Sequence, residues 1–220
     1  MFQYVLFDLD GTLTDPKTGI TSCVQYALAD AGIEEPDLDK LEPFIGPPLT
    51  DSFREFYGFD DEQIKRAIDK YHERFDEKGI FENEIIEGIP ELLKVLKDAG
   101  RRVSIASSKP RPLVIRILEH FEIAQYFDTV VGSEFDGRFA TKEAVVEEAL
   151  KQLVPSVYEK EDVAMVGDRK FDIQGARAHG LTGIGVSFGY AGEHELEDAG
   201  ADYIVDTVEE LQRLLLQGSL

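Results

Sequence analysis

Near the start of the chain an apolar run, Phe2-Gln3-Tyr4-Val5-Leu6, leads directly into Phe7-Asp8-Leu9-Asp10-Gly11-Thr12-Leu13-Thr14-Asp15. A mostly apolar run of this length, rich in strand formers and closed by Asp and Gly, predicts a buried strand ending in a turn. Two carboxylates therefore stand where a central strand gives out, and in open α/β sheets ligands bind just outside the carboxyl ends of the strands. Asp8 and Asp10 are two apart, so in extended chain both side chains point the same way while Leu9 points into the core. Carboxylates this close repel, and burying them together costs free energy unless a cation or protons intervene. A hard divalent cation such as Mg²⁺, which prefers oxygen ligands, resolves the conflict. The competing reading is a tight Asp-Gly turn with two solvated acids. An EF-hand is excluded, because the loop lacks the later acidic positions and the terminal Glu.

Acidic residues outnumber basic ones by 44 to 23, a net charge of -21, which disfavours nucleic-acid backbone and anionic membrane as partners. The same field repels a phosphate substrate at long range, so a phosphate site needs a local cation or basic groups. Solubility is the general explanation of the excess. The single cysteine, Cys23, allows no disulfide within the chain and suits a reducing, cytoplasmic setting; with no His or Lys beside it, it reads as a packing residue. The N-terminus has no basic region and its apolar run is interrupted at once by charge, which argues against a signal peptide. No apolar run is long enough to span a bilayer.

The rest of the chain divides by rhythm. Residues 16–82 read as almost all helix, with helical spacing over 19–32, 49–57 and 60–78, a short helix at 38–41, and a rigid apolar loop at 44–48 around Gly46-Pro47-Pro48. From Gly88 helix and strand alternate: helices at 90–99, 113–121, 142–153, 173–178 and 208–216, and strands at 103–106, 129–131, 163–166, 183–186 and 203–205. Such alternation predicts a mostly parallel sheet covered on both faces, an α/β Rossmann-like core (1–15 and 83–220) carrying an inserted all-helical domain (16–82).

Three later clusters each fall at the end of a predicted strand. They are Ser107-Ser108-Lys109-Pro110, Thr141-Lys142 opening the helix after 129–131, and Gly167-Asp168-Arg169-Lys170-Phe171-Asp172. Each has a local alternative: helix capping by Ser107 or Ser108, and an Asp N-cap at Asp168. An ammonium at a helix N-terminus is locally unfavourable, so Lys142 needs another reason to be there. Asp168 and Asp172 are one helical turn apart and share a face.

Taken together, FDLDGTLTD, Ser107, Lys142 and GDxxxD, in this order and each at a strand end, resemble the four motifs of the haloacid dehalogenase-like hydrolases, most of which are phosphatases. The resemblance covers essentially the whole chain. It implies a first strand in the middle of the sheet, a helical cap at 16–82, and a Mg²⁺-dependent phosphomonoesterase working through an aspartyl-phosphate. It further implies that Asp8 is the nucleophile and Asp10 the general acid/base, that Ser107 binds the phosphoryl group, and that Lys142 offsets charge. Mg²⁺ would be held by Asp8, the Asp10 carbonyl and Asp168, with Asp172 holding metal-bound water or orienting Lys142. Lys109 competes with Lys142 as the phosphate-side lysine, and Ser108 joins it as a substrate contact. In the cap, the loop carrying Gly46 and the side chain of Arg54 are candidate substrate contacts, against the alternative that Phe44 and Ile45 simply pack.

Phosphoglycolate-phosphatase-like members carry Lys-Pro at the third motif. Lys142-Glu143 departs from that, and with residues 132–138 looks more like the 5′-nucleotidase-like subgroup. The expected substrate is a small phosphate ester, a nucleoside monophosphate or a phosphoglycolate-like molecule, for a protein that is a monomer or homodimer. The alternatives are a phosphomutase of the β-phosphoglucomutase type and a non-catalytic binding protein of the same fold. The latter is disfavoured by the retention of both Asp8 and Asp10.

Overall fold

The structure, a computed structural model, describes residues 2–154 and 158–218. In chain order its elements are β1 (Tyr4–Phe7), β2 (Thr14–Asp15), α1 (Lys17–Asp30), α2 (Leu49–Tyr57), α3 (Asp61–Phe75), β3 (Glu84–Ile85), α4 (Ile89–Asp98), β4 (Arg102–Pro110), α5 (Arg111–His120), β5 (Thr129–Ser133), α6 (Lys142–Leu153), β6 (Val163–Gly167), α7 (Lys170–Ala178), β7 (Thr182–Val186), α8 (Glu195–Ala199), β8 (Tyr203–Val205) and α9 (Val208–Gln217). They form two compact units, Met1–Thr14 with Ile85–Leu220, and Asp15–Glu84. The short strands β2 and β3, where the chain leaves and re-enters the first unit, pair with each other.

The first unit is an α/β fold built on a six-stranded sheet in the order β5-β4-β1-β6-β7-β8. Every pairing in it is parallel, with β1 in register against Arg102–Ile105 of β4 on one side and Val163–Val166 of β6 on the other. Central parallel strands are covered on both faces, so they read as continuous apolar runs without alternation. Val5, Leu6 and Phe7 are all buried, as is the whole of β6 and of β7. From β1 the sheet grows outward through β4 and β5, then the chain crosses back to β6 and grows the other way. The order thus reverses beside β1, and that reversal opens a crevice at the strands' carboxyl ends.

The helices bury one stripe each. In α4, with Pro90 in its first turn, Ile89, Leu92, Leu93 and Leu96 face inward at helical spacing. In α6 the inward stripe is Lys142, Val145, Val146, Ala149, Leu150 and Leu153. Its apolar members pack with Leu6, Met165 and Ala176 in one core cluster. The first position of that stripe is a lysine, and the same geometry that buries Val146 and Ala149 carries the ammonium inward.

In the α/β unit the sequence expectation is exceeded at β4 and α8. The strand expected at 103–106 continues to Pro110, because Ser107 still pairs with Gly132 and Pro110 with Ser133, with a register shift between them. The extra residues of this bulge re-aim Ser108 and Lys109, and Ser133 Oγ donates to the Ser108 carbonyl at 2.8 Å to fix it. The helix α8 was not foreseen, being too short to show a period.

The second unit is helical. α1 presents Ile20, Val24, Ala27 and Leu28 to its interior, and α3 presents Ile64, Ala67, Tyr71 and Phe75. α3 starts on a capping box between Asp60 and Gln63. The short helix expected at 38–41 is a 3-10 helix that runs on to Phe44, with Pro43 inside it. Phe44 stacks edge-on against Phe53 at 5.0 Å, within a group that includes Phe56, Tyr57 and Phe59. Phe44 and Ile45 are both buried. Among the described residues no helix is long and apolar enough to cross a membrane.

Candidate active site

All of the core-unit site residues expected from the sequence gather at the carboxyl edge of the sheet, around the end of β1. Asp8 directly follows β1, and its N–H donates to the Val166 carbonyl at 2.9 Å, which keeps the backbone in line with β6. Leu9 is fully buried, as the alternation requires. The two aspartates nevertheless do not share one partner. Asp8 lies 2.9 Å from Lys142 Nζ, whereas Asp10 lies 2.5 Å from Lys109 Nζ. Both lysines proposed as phosphate-side groups are therefore at the site, each beside a different carboxylate. The second Asp10 oxygen, Oδ1, is buried without a hydrogen bond.

Lys142 is shared. Its ammonium is also 2.8 Å from Asp172 Oδ1 and donates to the Ala106 carbonyl at 3.1 Å. Burial would push this ammonium's pKa down, but Asp172 and Asp8 outweigh burial and hold it above its ordinary value. That is the reason for a lysine at the start of α6: helix position is overruled by two buried carboxylates. Asp172 is the partner that fixes Lys142, and it also accepts from the Arg169 N–H at 3.1 Å.

Asp168 is fully buried. Thr12 Oγ1 donates to its Oδ1 at 3.2 Å and the Tyr190 N–H to its Oδ2 at 2.8 Å. Burial, then Asp172 and Asp8, push its carboxyl up to about 8, against the pull of the Tyr190 N–H and Arg169. Asp172 is raised by burial and by Asp8, with Lys142 opposing. The capping alternatives fail here: α7 has Arg169, not Asp168, at its N-cap position, and α5 has Pro110 there with no side-chain cap.

Two glycines make this packing possible. Gly11 has φ +81°, and a Cβ there would meet Asp168 Oδ2 at 2.2 Å; at Gly189 it would meet Asp168 Cβ at 2.3 Å and the Gly11 carbonyl oxygen at 2.5 Å. A side chain at either position would displace Asp168. Ser107 is buried, and its Oγ accepts from the Lys109 N–H at 3.3 Å.

Oxygens of Asp8, Asp168 and Asp172 all lie within 4.8 Å of one another. Ionised together, three carboxylates against the one ammonium of Lys142 would leave two negative charges in a buried space. Raised carboxyl pKa values register that unmet charge, and a hard divalent cation would meet it with the oxygen donors it prefers. The residues present therefore fit Mg²⁺.

Gly46 and Arg54 belong to the helical unit. Gly46 has φ +102° in the 44–48 loop. Arg54 is exposed and paired with Asp61 at 2.7 Å, so binding an anion would compete with that ion pair. Thr12, Gly189, Tyr190 and Glu195 were not anticipated. The signal for Gly189 and Tyr190 was available: the stretch 187–192, with Gly189 and Gly192, follows β7 and so falls on the same sheet edge as the four motifs.

A model of the haloacid dehalogenase-like hydrolases matches residues 5–186. A 5′-nucleotidase of Pseudomonas aeruginosa is 45% identical over 196 residues, covering 89% of this chain and 87% of that protein. The tyrosine-protein kinase PtkA of Mycobacterium tuberculosis is 38% identical over 216 residues, 97% of this chain and 72% of its own length. Among solved structures, that of a predicted phosphatase from Clostridium acetobutylicum superimposes with a TM-score of 0.92 at 46% identity, covering 99% of each chain.

Proposed function

The chain belongs to the haloacid dehalogenase-like hydrolase family and is a phosphatase of that family, and from this premise we propose that it is a Mg²⁺-dependent phosphomonoesterase that passes the phosphoryl group through Asp8. The substrate class we favour is a nucleoside monophosphate. The 45% identical relative named 5′-nucleotidase supports this choice over a phosphoglycolate-like ester.

The observation that carries the mechanism is the division of the two aspartates between two lysines. Asp8 is pinned by Lys142 at the end of the central strand, and Asp10 is pinned separately by Lys109. Two carboxylates with different partners can take different roles. In the first half-reaction an Asp8 oxygen attacks phosphorus, the bond to the leaving oxygen breaks, and Asp10 gives that oxygen its proton. In the second, Asp10 takes a proton from water, the water oxygen attacks phosphorus, and the Asp8 carboxylate is released with inorganic phosphate. Ser107 and the neighbouring N–H groups of the β4 bulge would hold phosphoryl oxygens, and Lys142 would keep Asp8 aimed and counter its charge. Mg²⁺ would be held by Asp8, Asp168 and the Asp10 carbonyl, with Asp172 behind them; when bound, it supplies positive charge that offsets repulsion between the carboxylate and the phosphate.

Phosphate release from nucleoside monophosphates, phosphoglycolate, pyrophosphate and sugar phosphates, with Mg²⁺ and with EDTA, tests the reading. Release should require Mg²⁺, favour the nucleotides, and vanish in Asp8→Asn. Equal release in EDTA contradicts the cation, and release retained in Asp8→Asn contradicts the nucleophile. Asp10→Asn should slow turnover by roughly 100- to 10,000-fold, most for poor leaving groups. Equal slowing of good and poor leaving groups argues against the acid role. The mycobacterial relative's name makes transfer from ATP to a protein tyrosine the second reading. Labelling of a tyrosine-containing peptide by radiolabelled ATP, without phosphate release from any monoester, would favour it.

A further inference from the structure

Glu195 lies outside all four motifs, yet its carboxylate is almost fully engaged. Oε1 accepts from Arg169 Nε at 2.9 Å and from the Lys170 N–H at 2.8 Å. Oε2 accepts from the Gly192 N–H at 3.1 Å and faces an Arg169 terminal nitrogen at 3.5 Å. Both side chains of this pair are mostly shielded from solvent, at 13% and 15% exposure for Arg169 and Glu195, so the bonds are not the loose contacts of a surface ion pair.

What these bonds join decides what they do. Arg169 and Lys170 are the two residues that follow Asp168 into α7, and Glu195 supplies the capping oxygen that Arg169, at the N-cap position, lacks. Gly192 closes the 187–192 loop. Within that loop Gly189 is pressed against Asp168 so closely that no Cβ fits, and the Tyr190 N–H donates to Asp168 Oδ2 at 2.8 Å. One carboxylate thus ties the backbone on the far side of Asp168 to the loop that covers its near side.

We propose that Glu195 is a positioning residue for Asp168: by clamping the start of α7 to the loop after β7 it fixes the Asp168 carboxylate in the orientation that a divalent cation requires. The inference rests on the reading of Asp168 as a cation ligand. Partners that orient a ligand rather than bind the metal typically contribute about 10- to 100-fold in metal affinity or activity.

The test is calorimetric titration of the full-length protein with Mg²⁺ alone, alongside kcat and KM for the best nucleotide substrate. The variants are Glu195→Ala, Glu195→Gln, Asp168→Asn and, as a control on the exposed side of the same helix, Glu197→Gln. Glu195→Ala should weaken Mg²⁺ binding by at least about 10-fold and lower kcat at limiting Mg²⁺, with KM little changed. Glu195→Gln, whose amide oxygen still accepts from one backbone N–H, should recover part of the loss, and Glu197→Gln should match the unaltered protein. If Glu195→Ala folds poorly, Glu195→Gln alone carries the comparison, and it must bind Mg²⁺ more weakly than Glu197→Gln. Wild-type Mg²⁺ affinity and kcat in both Glu195 variants, whatever their melting temperatures, would overturn the proposal. Loss of binding in Asp168→Asn with none in the Glu195 variants defeats the positioning role alone; tight binding in Asp168→Asn defeats the cation site itself.

Discussion

Lys142 in the α/β unit and Lys17 in the helical unit have the same company, one ammonium between two carboxylates. Lys142 stands between Asp8 and Asp172, and Lys17 between Asp39 and Glu42. The lysine side chains are 5% and 37% exposed. Solvent at Lys17 screens the attraction and can replace either partner, so such a triad contributes little to stability. At Lys142 nothing replaces a lost partner, and removal of one charge leaves the others stranded in a medium that solvates them poorly. Identical chemistry is therefore a surface ornament in one unit and a condition of the site in the other.

The largest contrast is expected from removing the two lysines in turn. Lys142→Met should cost about 3–5 kcal/mol at pH 8 in EDTA, the range for stranding buried charge, and lower turnover by roughly 100- to 1,000-fold. Adding Asp172→Asn to it should recover part of the stability and none of the activity. Urea midpoints and kcat on the two variants check this; a stability loss no greater than that of Lys17→Met would remove the distinction between the units.

Asp168 should give the next largest effect, through pH. Its carboxyl is raised from 3.8 to about 8 in the folded, cation-free protein. The folded state thus holds a proton that the unfolded state has released, so stability falls as pH rises from about 4 towards 8. In EDTA, Asp168→Asn should lose that part of the pH slope, and Mg²⁺ should flatten the slope of the unaltered protein. Parallel pH profiles for the protein and the variant would contradict the assignment.

Lys109→Met should have a smaller effect than Lys142→Met, because Asp10 keeps its place in the turn and Lys109 fixes only its side chain. The loss should grow as the leaving group worsens, as it does for Asp10→Asn. A loss that is independent of the leaving group would place Lys109 on the phosphate rather than on Asp10. Lys17→Met should be nearly silent in melting temperature and activity alike, and a clear loss in either would show that exposure does not separate the two triads.

Much of this was legible because position in the sheet follows from hydrophobic pattern. β1 and β6 are nearly unbroken apolar runs, and the first and fourth motifs begin where those runs stop. Lys142 was legible twice, as a misplaced ammonium at a helix start and as the first member of the inward stripe of α6. The partition of Asp8 and Asp10 between Lys142 and Lys109 was not legible. It depends on the β4 bulge, whose register shift is set by pairing with β5 across 25 residues of sequence. Glu195 was hidden for a related reason: its partners are Arg169 and Lys170, and a long-range carboxylate cap leaves no periodic trace in a helix as short as α8.

The account turns on whether Asp8 carries the phosphoryl group. Excess enzyme mixed with a radiolabelled nucleoside monophosphate and Mg²⁺, then quenched in acid within milliseconds, should yield label on the protein. That label should be released by hydroxylamine, map to the peptide containing Asp8, and be absent in Asp8→Asn. Turnover without any labelled protein at the earliest times, or label on a peptide other than that of Asp8, would contradict it.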